Sequence, residues 1–130
     1  MIDKQQIDRQ FDVGLNLLER RKYPEALEIF DEIITKLEDF QDNEDYKITY
    51  ESSFNNRGMA RCKIAISQKD INLYEKGLDD FKKSLELSGY AEDELARTSL
   101  FSWQNIQYST KEMQVFERAV GDGLQAQDQS

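Results

Sequence analysis

The sequence contains no histidine, one cysteine (Cys62) and one proline (Pro24). Histidine is the commonest general base and the commonest zinc ligand in proteins, so its absence leaves few groups for catalysis or metal binding. A single cysteine excludes an intrachain disulfide and is typical of a reducing compartment. An enzyme built on helical carboxylates stays an open alternative, but we expect a protein that is not an enzyme and that uses no cofactor and no metal.

Long apolar runs are also missing, since no stretch approaches the roughly 20 apolar residues that cross a bilayer. The first five residues lack the basic start and apolar core of a secretory signal. With 26 acidic and 17 basic residues, the chain carries a net charge of -9. Such a surface repels nucleic acids and anionic membranes. We expect a cytoplasmic location and neither nucleic acid nor membrane as a partner.

Helix breakers are scarce, and apolar residues recur at the three- and four-residue spacing of amphipathic helices. We expect an all-α fold with one domain over residues 1–120 and a flexible polar tail over residues 121–130. Asp70 is the expected N-cap of the fourth helix, and Ser88 with Gly89 is its expected stop. The expected helices cover residues 3–21, 24–40, 44–67, 71–87, 91–108 and 110–120.

The first two expected helices carry a spaced series of small and aromatic residues. Gly14 is followed by Ala26, then by Phe30 four residues further on and by Ile33 three residues after that. This series resembles the tetratricopeptide repeat, in which small residues allow two paired helices to approach closely. The resemblance implies a short α-solenoid of stacked helix pairs. We expect Gly14 and Ala26 to lie at the close approach, with Phe30 beside them.

A second unit repeats the series with Gly58, Gly77, Phe81 and Ser84. Its two glycines are nineteen residues apart, whereas Gly14 and Ala26 are twelve residues apart. The seven extra residues are close to two helical turns, so both helices can lengthen without rotating their buried faces. A third, degenerate pair over residues 91–120 resembles a repeat or a capping pair.

The resemblance also implies where a partner polypeptide would bind, because such proteins hold peptides in a concave groove lined by the first helix of each pair. An amphipathic helix or an extended segment with apolar anchors would suit a partly apolar groove. The same residues could instead pack beneath the last two helices or form a homodimer contact. The groove positions that carry this expectation are Phe11, Leu15, Leu18, Asn55, Met59, Cys62 and Lys63.

The expected function is that of an adaptor or scaffold that binds a protein or peptide partner. Two alternatives are a self-assembling structural module and a small acidic export or assembly chaperone for a hydrophobic client. A clamp for the acidic C-termini of heat-shock chaperones is disfavoured, because Phe11 and Leu15 occupy two places where such clamps carry basic or amide side chains. Glu19 would in addition repel a carboxylate. The acidic pair Asp79 and Asp80 is interpreted as part of a solvated helix face.

Overall fold

The computed structural model describes residues 2–89, which form four α-helices and one short 3₁₀ helix, with no strand in that range. The all-helical class is therefore confirmed for this part of the chain. Within residues 2–89, no helix is both long enough and apolar enough to cross a bilayer. The expected helices over 91–108 and 110–120 and the expected tail lie outside the described residues. The helices are α1 (Lys4–Glu19), α2 (Tyr23–Leu37), the 3₁₀ helix (Glu38–Phe40), α3 (Glu44–Gln68) and α4 (Ile71–Ser88).

The helix ends follow from local side-chain chemistry. Asp3, Asn43 and Asp70 are the N-caps of α1, α3 and α4, and each accepts a hydrogen bond from a backbone N–H of the first turn. Gly89 ends α4 with a left-handed φ of 76°, a conformation that costs glycine little. The predicted N-cap at Asp70 and the predicted stop at Gly89 are both confirmed.

Successive helices run antiparallel and pack as two hairpins. In the first hairpin (α1 and α2), Gln10 in the first half of α1 donates a hydrogen bond to Glu32 in the second half of α2 at 2.7 Å. In the second hairpin (α3 and α4), the Ser84 hydroxyl donates to the backbone oxygen of Glu51 at 2.9 Å. Helix α3 also packs against α2 and touches α1. The two hairpins therefore form one stack, with α3 next to both helices of the first.

The apolar core has two parts, which follow the two hairpins. The first core cluster joins α1 and α2 to the first half of α3, and the second joins the later part of α3 to α4. Buried members of the first cluster are Ile7, Ala26, Phe30, Ile33, Ile34, Leu37, Tyr50 and Phe54. Buried members of the second are Cys62, Ala65, Tyr74 and Phe81.

The second hairpin is longer than the first, as the spacing of its glycines predicts. Helix α3 continues ten residues beyond Gly58, whereas α1 continues five beyond Gly14. Helix α4 begins six residues before Gly77, whereas α2 begins three before Ala26. The prediction that the extra residues lengthen both helices is confirmed.

Glycines set the distance between the helices of each hairpin. A Cβ built on Gly14 would lie 2.6 Å from Cζ of Phe30, so the predicted close approach at Gly14 is confirmed. A Cβ built on Gly77 would lie 2.5 Å from Sγ of Cys62 and 2.9 Å from the backbone oxygen of Gly58. Both distances are shorter than van der Waals contact, so α3 and α4 can approach this closely only without a side chain at residue 77.

We predict that Gly77→Ala lowers the free energy of unfolding, although alanine favours an isolated helix over glycine by about 1 kcal/mol. The added methyl group must push α3 and α4 apart, and overpacking of this kind costs about 1–3 kcal/mol. Urea denaturation followed by circular dichroism measures the change. Lys76→Ala is the control, since Lys76 is exposed on the same helix and should shift stability by less than about 0.5 kcal/mol. A Gly77→Ala protein as stable as wild type would contradict the close packing.

Candidate partner-binding site

The α1 half of the predicted groove keeps apolar surface at three positions. Leu15 is 37% exposed, and Phe11 and Leu18 are half-buried against the first core cluster. The Phe11 ring meets the Phe30 ring edge-on, with centroids 5.8 Å apart. We call Phe11, Leu15 and Leu18 the α1 apolar strip. Phe11 and Leu18 pack on the core, while Leu15 has the largest exposed fraction of the three.

The α3 half of the groove is less accessible than predicted. Met59 and Lys63 are half-buried, but Asn55 is 6% exposed and Cys62 is 3% exposed. The Cys62 Sγ lies 3.8 Å from the backbone oxygen of Tyr74 on α4. Cys62 therefore offers little surface to a partner, because the space left by Gly77 holds its side chain in the α3–α4 contact. Asn55 is also buried and presents little surface to a partner.

The two halves lie on neighbouring helices, since α1 and α3 are in contact, but they are supported by different core clusters. The α1 apolar strip packs on the first cluster, whereas Met59 packs on the second.

Ile48 on α3 is 74% exposed, and no sequence argument singled it out. It precedes Met59 by eleven residues, which is close to three helical turns and therefore places both on one face of α3. This spacing is the sequence pattern from which Ile48 could have been added to the predicted groove.

A network of charged side chains joins α2, α3 and α4. Arg57 on α3 donates two hydrogen bonds to the Asp80 carboxylate on α4, from Nε at 3.0 Å and from Nη2 at 2.7 Å. Its Nη1 donates to Asp31 on α2 at 2.9 Å. Arg61, one turn further along α3, donates to Asp80 at 2.8 Å. The two arginines and two aspartates balance in charge, and we call them the Arg57 network.

Most of this network is shielded from solvent, unlike a surface ion pair. The side chains of Arg57 and Asp80 are 16% and 5% exposed, and Arg57 stacks over the Phe54 ring with its guanidinium carbon 5.1 Å from the centroid. Burial alone would lower the pKa of Arg57, but hydrogen bonds and charge from Asp80 and Asp31 outweigh it and raise that pKa. Arg57 is therefore held as a cation whose bidentate geometry fixes the angle between α3 and α4.

The interpretation of Asp79 and Asp80 as solvated was correct for Asp79 only. Asp79 is exposed, whereas Asp80 is 4% exposed. The sequence did hold a signal, because Asp80 follows Gly77 by three residues and precedes Ser84 by four. That spacing places it on the buried stripe of α4 rather than on the opposite face.

The acidic groups of the network face arginines rather than an open coordination site. Across residues 2–89, no three cysteine, aspartate or glutamate side chains are grouped so that they could hold a metal ion. The described residues present a partly apolar strip on α1 and an ionic network that joins α2, α3 and α4.

Comparison with known proteins gives no relative: no family model matches the chain, and neither a characterised protein nor a solved structure is detectably similar. The resemblance to tetratricopeptide repeats accordingly rests on the spacing of Gly14, Ala26, Phe30 and their counterparts in the second hairpin.

We predict that Asp80→Asn lowers the free energy of unfolding by about 2–4 kcal/mol, because it leaves Arg57 and Arg61 with less compensating charge in a buried site. Asp79→Asn is the matched control, since it makes the same change at the exposed neighbouring residue and should cost less than about 0.5 kcal/mol. Chemical denaturation at neutral pH gives both values. Equal effects of the two substitutions would contradict the structural role of the network.

Proposed function

We propose that this protein is a protein–protein interaction module, an adaptor or scaffold built from tetratricopeptide-like helix pairs. The repetition of one packing scheme supports it. Gly14 packs against Phe30 in the first hairpin, and Gly58 lies beside Gly77 and Phe81 in the second. Stacked helix pairs of this kind present extended surfaces to peptides and proteins.

The observation that carries the proposal is the incomplete burial of the α1 apolar strip. Leu15 is 37% exposed, and it lies between two residues anchored in the core. Apolar side chains grouped on one helix of a rigid stack favour contact with an amphipathic helix or an extended apolar segment. Half-buried Met59 on neighbouring α3 adds an adaptable contact to the same proposal.

The contacts that join the four helices also support a binding role. The Arg57 network ties α3 to α2 and α4, and α1 packs on both α2 and α3. A surface held in place before binding loses less conformational entropy when a partner docks. We extend the proposal to a third helix pair over residues 91–120, from its sequence pattern, and to a cytoplasmic location.

We predict that Leu15→Lys abolishes capture of a partner that the wild-type protein retains from native lysate. Charge placed in the centre of an apolar contact leaves a desolvated ammonium without a partner. Thr35→Lys is the control, because Thr35 is exposed on α2 and the charge change is identical. Mass spectrometry of the captured proteins gives the result, with circular dichroism to confirm that both variants fold.

Capture of the same proteins by both variants would contradict binding through the α1 apolar strip. Light scattering of the purified chain tests self-assembly. If the wild-type protein is a dimer and Leu15→Lys is a monomer, the α1 apolar strip binds a second copy of the chain. If the wild-type protein captures one hydrophobic client and not several soluble partners, the result would favour the chaperone alternative.

A further inference from the structure

The second hairpin has less apolar cover than the first. Among residues 2–89, the first core cluster has eight buried members from three helices, because α3 packs on both α1 and α2. The second cluster has four buried members, all from α3 and α4. Its other apolar contacts come from side chains that are only partly buried, such as Met59 and Leu78. Among the described helices, the second hairpin therefore lacks a third helix that closes it as α3 closes the first.

One face of α4 carries apolar side chains on the side opposite the Arg57 network. Ile71, Leu78 and Leu85 recur every seven residues, so they lie on one face of the helix. We call these three residues the α4 apolar stripe. Asp80, which binds Arg57, follows Leu78 by two residues and therefore lies on the other side of α4. Leu85 is only 7% exposed but belongs to neither core cluster, so the two clusters do not explain its burial.

The position of Gly89 determines where the rest of the chain starts. Helix α4 ends at Ser88, at the end of the stack where α3 begins. A helix over the predicted range 91–108 would equal α4 in length, which is 18 residues. At a rise of about 1.5 Å per residue, Trp103 would lie about 18 Å along that helix, and Leu78 lies about 15 Å from the end of α4. An antiparallel return of the chain therefore brings Trp103 level with Leu78, in the middle of the α4 apolar stripe.

The sequence that follows Gly89 is suited to packing on an apolar stripe. Leu100, Trp103 and Ile106 recur every three residues, so a helix would carry them within about 120° of its surface. The acidic residues 92–94 would occupy its first turn, where negative charge interacts favourably with the helix dipole. Trp103 is the only tryptophan of the chain, and its ring is among the largest apolar groups in proteins. The segment therefore offers an apolar face with one large ring near its centre.

We propose that residues 91–108 of the same chain cover the α4 apolar stripe as a helix antiparallel to α4, with the Trp103 ring against Leu78. The segment closes the second hairpin in the way that α3 closes the first. This inference goes beyond the proposed function, because it assigns an occupant to a surface other than the α1 apolar strip. It also removes Trp103 and the α4 apolar stripe from the surface that a partner polypeptide can reach.

Nuclear Overhauser contacts in the full wild-type chain test this proposal without any substitution. The indole signals belong to Trp103 alone, since the chain has one tryptophan. We expect cross-peaks between the indole protons of Trp103 and the methyl protons of Leu78. An assigned spectrum in which the indole protons show no cross-peak to Leu78 would overturn the proposal.

The fluorescence of Trp103 gives a second measurement, because an indole exposed to water emits at longer wavelength than a buried one. We expect Leu78→Glu to shift the emission to longer wavelength, since a carboxylate replaces the apolar contact. Leu27→Glu is the matched control, because Leu27 follows Ala26 as Leu78 follows Gly77 and is also half-buried. It should leave the emission maximum unchanged, with circular dichroism to verify that both variants keep their helices.

Equal shifts of emission in Leu27→Glu and Leu78→Glu would show a general loss of packing and would overturn the proposal. A second copy of the chain is the alternative occupant of the α4 apolar stripe. A sample mixed from isotope-labelled and unlabelled protein separates the two cases. Cross-peaks between Trp103 and Leu78 that arise only between chains would also overturn the proposal. Neither result bears on the proposed function, which is decided by comparing Leu15→Lys with Thr35→Lys.

Discussion

The position of the second hairpin against the first depends on the guanidinium of Arg57. It reaches Asp31 on α2 and both oxygens of Asp80 on α4, so one side chain spans three helices. Lengthening any of these hydrogen bonds would weaken the compensation of a largely buried charge, which is costly. The network therefore specifies how the hairpins stack, and with it where the α1 apolar strip and the α3 face lie relative to each other.

Within each hairpin, spacing is decided by glycine rather than by charge. Gly14 admits Phe30, and Gly77 admits Cys62 and the backbone of Gly58. These contacts are short-range, and they determine the distance between the paired helices. Glycines therefore space the helices of each hairpin, while the Arg57 network and the first core cluster both join the two hairpins. A stack fixed in this way can present partly apolar surface on α1 without losing its shape.

Much of this architecture could be predicted from local sequence signals. Asp70, Gly89 and the spacing of Gly58 and Gly77 gave helix ends and helix lengths, because capping and periodicity act within a few residues. The errors arose where the decisive partner lies on another helix. Asp80 was interpreted as solvated like Asp79, because its counter-charge comes from Arg57 on α3. The burial of Cys62 likewise depends on the space left by Gly77 on α4.

Native-state hydrogen exchange of the wild-type chain and of Arg57→Met tests most directly whether this network makes the two hairpins one unit. In the wild type we expect the most protected amides of α1, α2, α3 and α4 to exchange through one shared opening. Arg57→Met removes the guanidinium and leaves an unbranched apolar side chain of similar length. In this variant the two hairpins should open separately, with free energies of opening that differ by more than about 1 kcal/mol. If all four helices of the variant still open together with one free energy, the network does not couple the hairpins, and the account is contradicted.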